Sequence, residues 1–204
     1  YRNSYEFKIS EDLYKNVIKN DPKNIKALNN YANLKRELNK YKDAKSLLLK
    51  ALMIDESNVP ILTNLVVCCQ GLGETIEAKK FALKILEIQP LNTSAHKLLS
   101  SVVNYRKESD HFNKMKELIS DEILNNFSSS EKVQLFFALG KAYEDIKDYK
   151  NSYNFLAKAN LIEKQKSTSD LINIKRLFNN LVELFDTIKL ENLPEIETKK
   201  KCIF

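Results

Sequence analysis

A chain that repeats itself at a fixed short period cannot bury its apolar residues within one unit; it must stack like units, each covering a face of the next. Here Ile25-Lys26-Ala27-Leu28 aligns with Val59-Pro60-Ile61-Leu62 and with Thr93-Ser94-Ala95-His96, at an offset of 34 residues each time. The first unit continues through Leu28, Tyr31 and Ala32 to Tyr41, Ala44, Leu48, Ala51 and Ile54. The second has Leu62, Leu65 and Val66, then Thr75, Ala78, Ala82, Ile85, Ile88 and Pro90. A further match runs through Phe136, Leu139, Gly140, Tyr143, Tyr149, Ser152, Leu156, Ala159 and Ile162.

Within each unit the apolar residues fall three and four apart, so each unit reads as two amphipathic helices. Ala32 and Gly140 on the first helix, and Ala44, Ala78 and Ser152 on the second, are small where the paired helices must approach closely. Pro22 and Pro90 follow helix ends, where a proline cannot continue the helix. Asn39-Lys40 and Gly71-x-Gly73 mark the tight turns within pairs. Only 3 glycines and 4 prolines argue against an all-β fold, which needs more turn residues, and 43% hydrophobic content supports a continuous core.

These residues and their period resemble the tetratricopeptide repeat family, over roughly residues 7 to 165. The resemblance implies an all-α, right-handed α-α superhelix that binds peptides. The expected array spans 1–166: a half repeat at 7–24 (Phe7, Ser10, Tyr14, Val17, Pro22), then repeats at 25–58, 59–92, 93–126 and 133–166. The 93–126 repeat is degenerate, with Ser109 and Phe112 in place of the expected aromatic and alanine. Six extra residues separate it from the next, and Asn125 to Ser130 reads as that link, with Ser129 or Ser130 capping the following helix. Ser167-Thr168-Ser169-Asp170 reads as a helix start followed by Leu171, Ile174, Leu177, Phe178, Leu181, Leu184, Phe185 and Ile188. That predicts a capping helix over 167–190 that covers the end of the solenoid. Residues 191–204 are expected to be a linker and the start of an absent downstream domain, opening on the strand-like Lys201-Cys202-Ile203-Phe204.

In the family the first helix of each pair lines a concave groove. The resemblance implies that its second, fifth, ninth and twelfth positions face a ligand: Lys26, Asn29, Asn33 and Arg36; Pro60, Thr63, Val67 and Gln70; Ser94, Lys97, Ser101 and Asn104. Amides suit the backbone of an extended peptide, and Arg36 with Lys97 suits a carboxylate. Asn33, Asn64 and Lys97 occupy positions like three members of a chaperone-binding carboxylate clamp, although Asn29 and Ser101 stand where cations belong. A merely solvated polar face is the alternative.

Other chemistry finds little footing. His96 and His111 are the only histidines, and His96 stands at a packing position, so core filling is expected rather than metal binding. No phosphate loop and no nucleophile–base pattern is present; Gly71-Leu72-Gly73 is a turn. The chain is therefore expected to be no enzyme, with no cofactor. The formal charge is +6, but 33 basic and 27 acidic residues interleave at helical spacing, and nucleic acid is not expected as a partner. Cys68 and Cys69 lie inside an apolar stretch and Cys202 stands alone, which fits a reducing compartment; with no membrane span in the sequence, a cytoplasmic location is expected.

One segment is more specific. Phe137 to Tyr149, continuing to Ala157-Lys158-Ala159-Asn160, looks like the last repeat of bacterial tetratricopeptide sulfotransferases. The resemblance implies a parent that transfers a sulfuryl group from 3′-phosphoadenylyl sulfate, its phosphosulfate loop lying beyond Phe204. On that reading this chain recognises the acceptor or orients a partner. The other reading is a free-standing adaptor.

Overall fold

The computed structural model describes residues 2–106 and 110–187. Ser109, the linker from 191 and the strand-like residues 201–204 lie outside the described residues. Among the described residues there are ten helices and no strand, as the all-α expectation requires: α1 (Arg2–Asn20), α2 (Ile25–Glu37), α3 (Tyr41–Leu52), α4 (Val59–Gly71), α5 (Thr75–Ile88), α6 (Thr93–Ser100), α7 (Asp110–Glu117), α8 (Asp121–Leu124), α9 (Ser129–Asp145) and α10 (Tyr149–Thr187). The chain divides into two compact units, 1–160 and 161–204.

In the first unit each helix packs on the next from α1 to α6, after which α6 and α7 both pack on α9. Two devices recurring at the sequence period set this geometry. Asn24, Asn58 and Asn92 each cap a first helix, their side-chain oxygens accepting from the backbone N–H of Ala27, Ile61 and Ala95. Each cap amide in turn donates three residues back, to Asp21, Asp55 or Gln89. An unmet helix-end donor is thereby satisfied and the loop held in one bend. Between paired helices, Asn39 (φ 57°), Gly73 (φ 74°) and Lys147 (φ 65°) adopt the left-handed conformation that closes a helix C-terminus. Lys40 N–H then reaches Lys35 O at 2.8 Å, Glu74 N–H reaches Cys69 O at 2.8 Å, and Asp148 N–H reaches Tyr143 O at 2.9 Å.

The buried core falls into two clusters that share α4. Ile61, Leu65 and Cys68 join Leu28, Ala32, Ala44, Leu48 and Ala51. Leu62, Val66 and Cys69 join Ala78, Ala82, Ile85 and the residues beyond, through Leu99 and Met115 to Leu139. Glu11 secures α1 to α2: its carboxylate takes bonds from the Lys15 and Lys35 amines and the Tyr31 hydroxyl, at 2.8, 2.9 and 3.0 Å. The Lys15 and Lys35 bonds, in that order, hold the Glu11 carboxyl down at about 2.

Three local expectations change. The α9 cap is Ser128, not Ser129 or Ser130, because Glu131 three residues on returns a bond to the Ser128 N–H and completes a capping box. No new helix begins at Ser167: α10 is continuous from Tyr149 to Thr187, a stretch without glycine or proline to stop it. Asn104 is not on a first helix. α6 ends at Ser100, where the Ser100 and Ser101 hydroxyls bond back to the Lys97 and Leu98 carbonyls at 2.7 and 2.6 Å, and two β-branched valines follow.

Small residues mark the closest approaches. A Cβ added at Gly140 would stand 2.8 Å from Leu156 Cγ and 3.5 Å from the Ser152 carbonyl of α10. Gly140→Leu is therefore expected to force α9 from α10 and to cost about 1–3 kcal/mol, read as a lowered urea midpoint with unchanged slope.

Candidate functional site: the polar seam of the first helices

α2, α4, α6 and α9 are the first helices of their pairs, and a row of polar contacts crosses them in order. Arg36 Nη1 donates to Asn64 Oδ1 at 3.2 Å, and Asn64 Nδ2 donates to Asn29 Oδ1 at 2.7 Å, joining α2 to α4. Gln70 Nε2 donates to Ser101 Oγ at 2.6 Å, joining α4 to the end of α6. Thr93 Oγ1 donates to Gln134 Oε1 at 2.9 Å, and Lys97 Nζ lies 5.3 Å from the centroid of the Phe137 ring, joining α6 to α9.

The direction of these bonds follows from Arg36. A guanidinium only donates, so the Asn64 oxygen must face it. The Asn64 amide nitrogen then points to Asn29 and takes up the Asn29 oxygen. Outward, Asn29 is left offering N–H, as are the remaining guanidinium N–H groups of Arg36 and the ammonium of Lys97. Among the described residues neither Arg36 nor Lys97 is in an ion pair, although Lys15, Lys35, Lys45 and Lys141 all are. The Asn29, Arg36 and Lys97 part of the seam is thus a donor surface, while Gln70, with an N–H spent on Ser101, still offers its carbonyl oxygen.

The expected groove residues are distributed unequally over it. Asn29, Asn64, Arg36, Gln70, Ser101 and Lys97 all join the seam. Thr63 spends its hydroxyl on the Val59 carbonyl of its own helix at 2.9 Å, and Val67, one turn further along α4, is half-buried. Asn33 follows Asn29 by one turn on α2. It lines a hollow of about 220 Å³ against α1, with Ser10, Tyr14, Asn30, Leu34 and Glu37. Asn104 accepts from the Arg106 N–H at 3.1 Å in the loop after α6. Gln134 and Phe137 belong to the seam although sequence reasoning passed over them. They hold the second and fifth positions of the last repeat, so the offset that places Asn29 and Lys97 also finds them once the six extra residues are counted.

Away from the seam, His96 and His111 are buried at the α6–α7 joint, with their nitrogens 2.9 Å apart. His96 Nε2 lies 2.9 Å from the Pro90 carbonyl, which only accepts, so His96 carries its proton there and Nδ1 accepts. His111 Nε2–H is then the donor between the rings, and His111 Nδ1 accepts from the Tyr105 hydroxyl at 2.7 Å. Burial pushes both imidazoles below their usual 6.5, His111 to about 3, with His96 and Lys114 adding to the effect on His111. Among the described residues no group of three His, Cys, Asp or Glu is arranged for a metal, and no helix is long and apolar enough to cross a membrane.

A family model for the coatomer epsilon subunit matches residues 9–120, and one for the tetratricopeptide repeat matches residues 133–166. No curated protein matches. The chain is similar to the crystal structure of MamA, with 20% identity and a TM-score of 0.62 over 82% of this chain and 94% of that one. It is also similar to a kinesin light chain of nearly identical TPR-like repeats from Podosopora anserina, with 13% identity and a TM-score of 0.62 over 81% and 91%. Both likenesses speak to the fold.

The histidine joint gives a pH dependence of known sign. The unfolded chain takes protons on both histidines below 6.5 while the folded imidazoles stay neutral, so stability is full above pH 6.5 and falls as pH drops toward the His111 value of about 3. Unfolding free energies from urea titrations are expected to fall by about 2 kcal/mol between pH 7 and pH 5 from His111 alone, with His96 adding to the loss, a slope absent from a His96→Leu/His111→Leu variant. Glu11 acts in a separate, lower window, between its usual 4.5 and about 2.

Proposed function

The chain belongs to the coatomer epsilon subunit family, and on that premise we propose that it is a protein-interaction scaffold whose first-helix seam holds an extended, acidic segment of a partner. A family named for a subunit of coatomer supports an assembly role, and the helical-repeat fold supports a binding surface in place of a catalytic centre. The observation that carries the ligand class is the outward set of donors on Asn29, Arg36 and Lys97, fixed by the Arg36–Asn64–Asn29 bonds and free of internal carboxylates among the described residues. A backbone in extended form brings carbonyl acceptors at regular spacing, and acidic side chains match two unpaired cations. Phe137, half-buried under Lys97, adds an apolar platform on the α9 side.

The sulfotransferase resemblance rests on residues 137–160 and on the chain end. Neither matching family model is of a sulfotransferase, and the described residues add nothing to that reading. The interaction scaffold is the reading taken forward.

An array of immobilised decapeptides, acidic against neutral at matched length, tests the scaffold. Acidic members are expected to retain the protein at low salt and to release it as salt rises. Arg36→Ala and Lys97→Ala should each weaken retention by about 1 kcal/mol or more, and Asn64→Ala should do so by releasing Arg36 from its set direction. Equal retention of acidic and neutral peptides, or indifference to the Arg36→Ala/Lys97→Ala double variant, sinks the assignment.

A further inference from the structure

Arg36 and Lys97 bring their charges to one level of the first-helix seam, and the fold sets the gap between them. Arg36 stands about two turns beyond Asn29 on α2. Yet its guanidinium meets the same Asn64 amide that meets Asn29, at 3.2 Å and 2.7 Å. The long side chain therefore lies back along α2 and delivers its charge beside Asn29, where α2 and α4 meet. Asn29 and Lys97 hold the same fifth position of their repeats, two periods apart. Lys97 reaches toward α9, its Nζ 5.3 Å from the Phe137 ring centroid, so its charge stands where α6 and α9 meet.

The stretch between these two charges has a different character. α4 holds no charged residue along its whole length. At the same fifth position it presents Thr63, whose hydroxyl is spent on Val59, with half-buried Val67 one turn on. The gap is two helix-to-helix steps, since α2, α4, α6 and α9 pack in sequence. Packed helices lie about 8–10 Å apart, so the charges stand roughly 16–20 Å from each other. An extended chain advances about 3.3 Å per residue and turns alternate side chains to one side. Six residues span about 20 Å with both ends on one side, whereas four span only about 13 Å.

We propose that the seam selects an extended segment of a partner protein by the spacing of two carboxylates, Asp or Glu at i and i+6, with uncharged side chains at i+2 and i+4. This spacing rests on the acidic-segment reading above and deepens it. One carboxylate meets the Arg36 guanidinium and the outward Asn29 N–H, and the other meets the Lys97 ammonium. The residues at i+2 and i+4 lie over Thr63 and Val67, where a charge would find no partner on α4. An odd spacing turns the second carboxylate to the far side of the strand, so charge alone does not suffice.

Fluorescence anisotropy with labelled decapeptides and the full chain tests this. Every peptide carries two Glu in one Ser/Ala background, so only their separation changes, and a peptide without Glu serves as the neutral reference. At low salt the i, i+6 peptide is expected to bind about threefold or more tighter than the i, i+5 and i, i+2 peptides, the worth of one exposed ion pair. Arg36→Ala and Lys97→Ala should each erase that preference, because a single cation measures no distance, and Lys97→Arg should keep it. Far-ultraviolet dichroism confirms helix content in each variant. Equal binding at all separations, yet tighter than the neutral peptide, overturns the spacing and leaves the acidic-segment reading standing. A tightest separation other than six, or a preference that survives either alanine variant, also overturns it. Binding no tighter than that of the neutral peptide overturns both.

Discussion

Neighbouring side chains on an α-helix point about 100° apart, and α4 uses that angle to serve two cores at once. Ile61, Leu65 and Cys68 enter the first cluster while Leu62, Val66 and Cys69, each one residue later, enter the second. A helix apolar on two faces is stable only between two neighbours. The rest of the unit follows from supplying them. The Asn caps and left-handed turns bring each chain segment back at the right angle, and the small residues let it come close enough.

A helix sandwiched in this way has one face left over, and on the first helices that face carries the seam. Its polarity is not simply solvated. The amides are spent on one another across helices, with Arg36 dictating which end of Asn64 points where. Charge on this face is thereby held in one direction by the fold itself, the kind of preset arrangement that lowers the ordering cost of a binding event. Where the third pair is cut short after Ser100, the face is held instead by contacts to α9, with Thr93 on Gln134 and Lys97 on Phe137. The shortened α6 leaves α7 joined to it through the two imidazoles, a buried contact that works only while both are neutral.

Much of the helix pairing was legible from spacing alone, because three-and-four periodicity and small residues at the crossings are direct consequences of packing. The turn at Asn39 and Gly73 was readable for the same reason, since so few residue types accept that conformation. Lys147 shows the limit: a lysine at φ 65° carries no sequence signal, and only its place in the pair identifies it. The cap at Ser128 was missed by a residue because three serines run together and the choice lies with Glu131, whose reach is a matter of geometry. Among groove residues, register predicted which would share a face, yet not which would bond one another. Asn33 and Asn64 look alike in sequence, but one lines the hollow against α1 and Arg36 engages the other. His96 was read as core filling, which its burial supports, and the pair it forms with His111 carried no sequence signal. Its proton order depends on the Pro90 carbonyl, which no local pattern places there.

The adjacent thiols of α4 follow from the same two-faced register. Cys68 looks into the first cluster and Cys69 into the second, both buried and both with thiols made less acidic by burial, Cys69 up to about 11. While the array is closed, neither presents a thiolate to a reagent. Each becomes reactive only when its own side of α4 opens, so the order in which an alkylating agent marks the two reports which half of the stack breathes first. A pair of residues that look redundant in sequence thus forms a two-channel clock for local unfolding, already present in the wild-type chain.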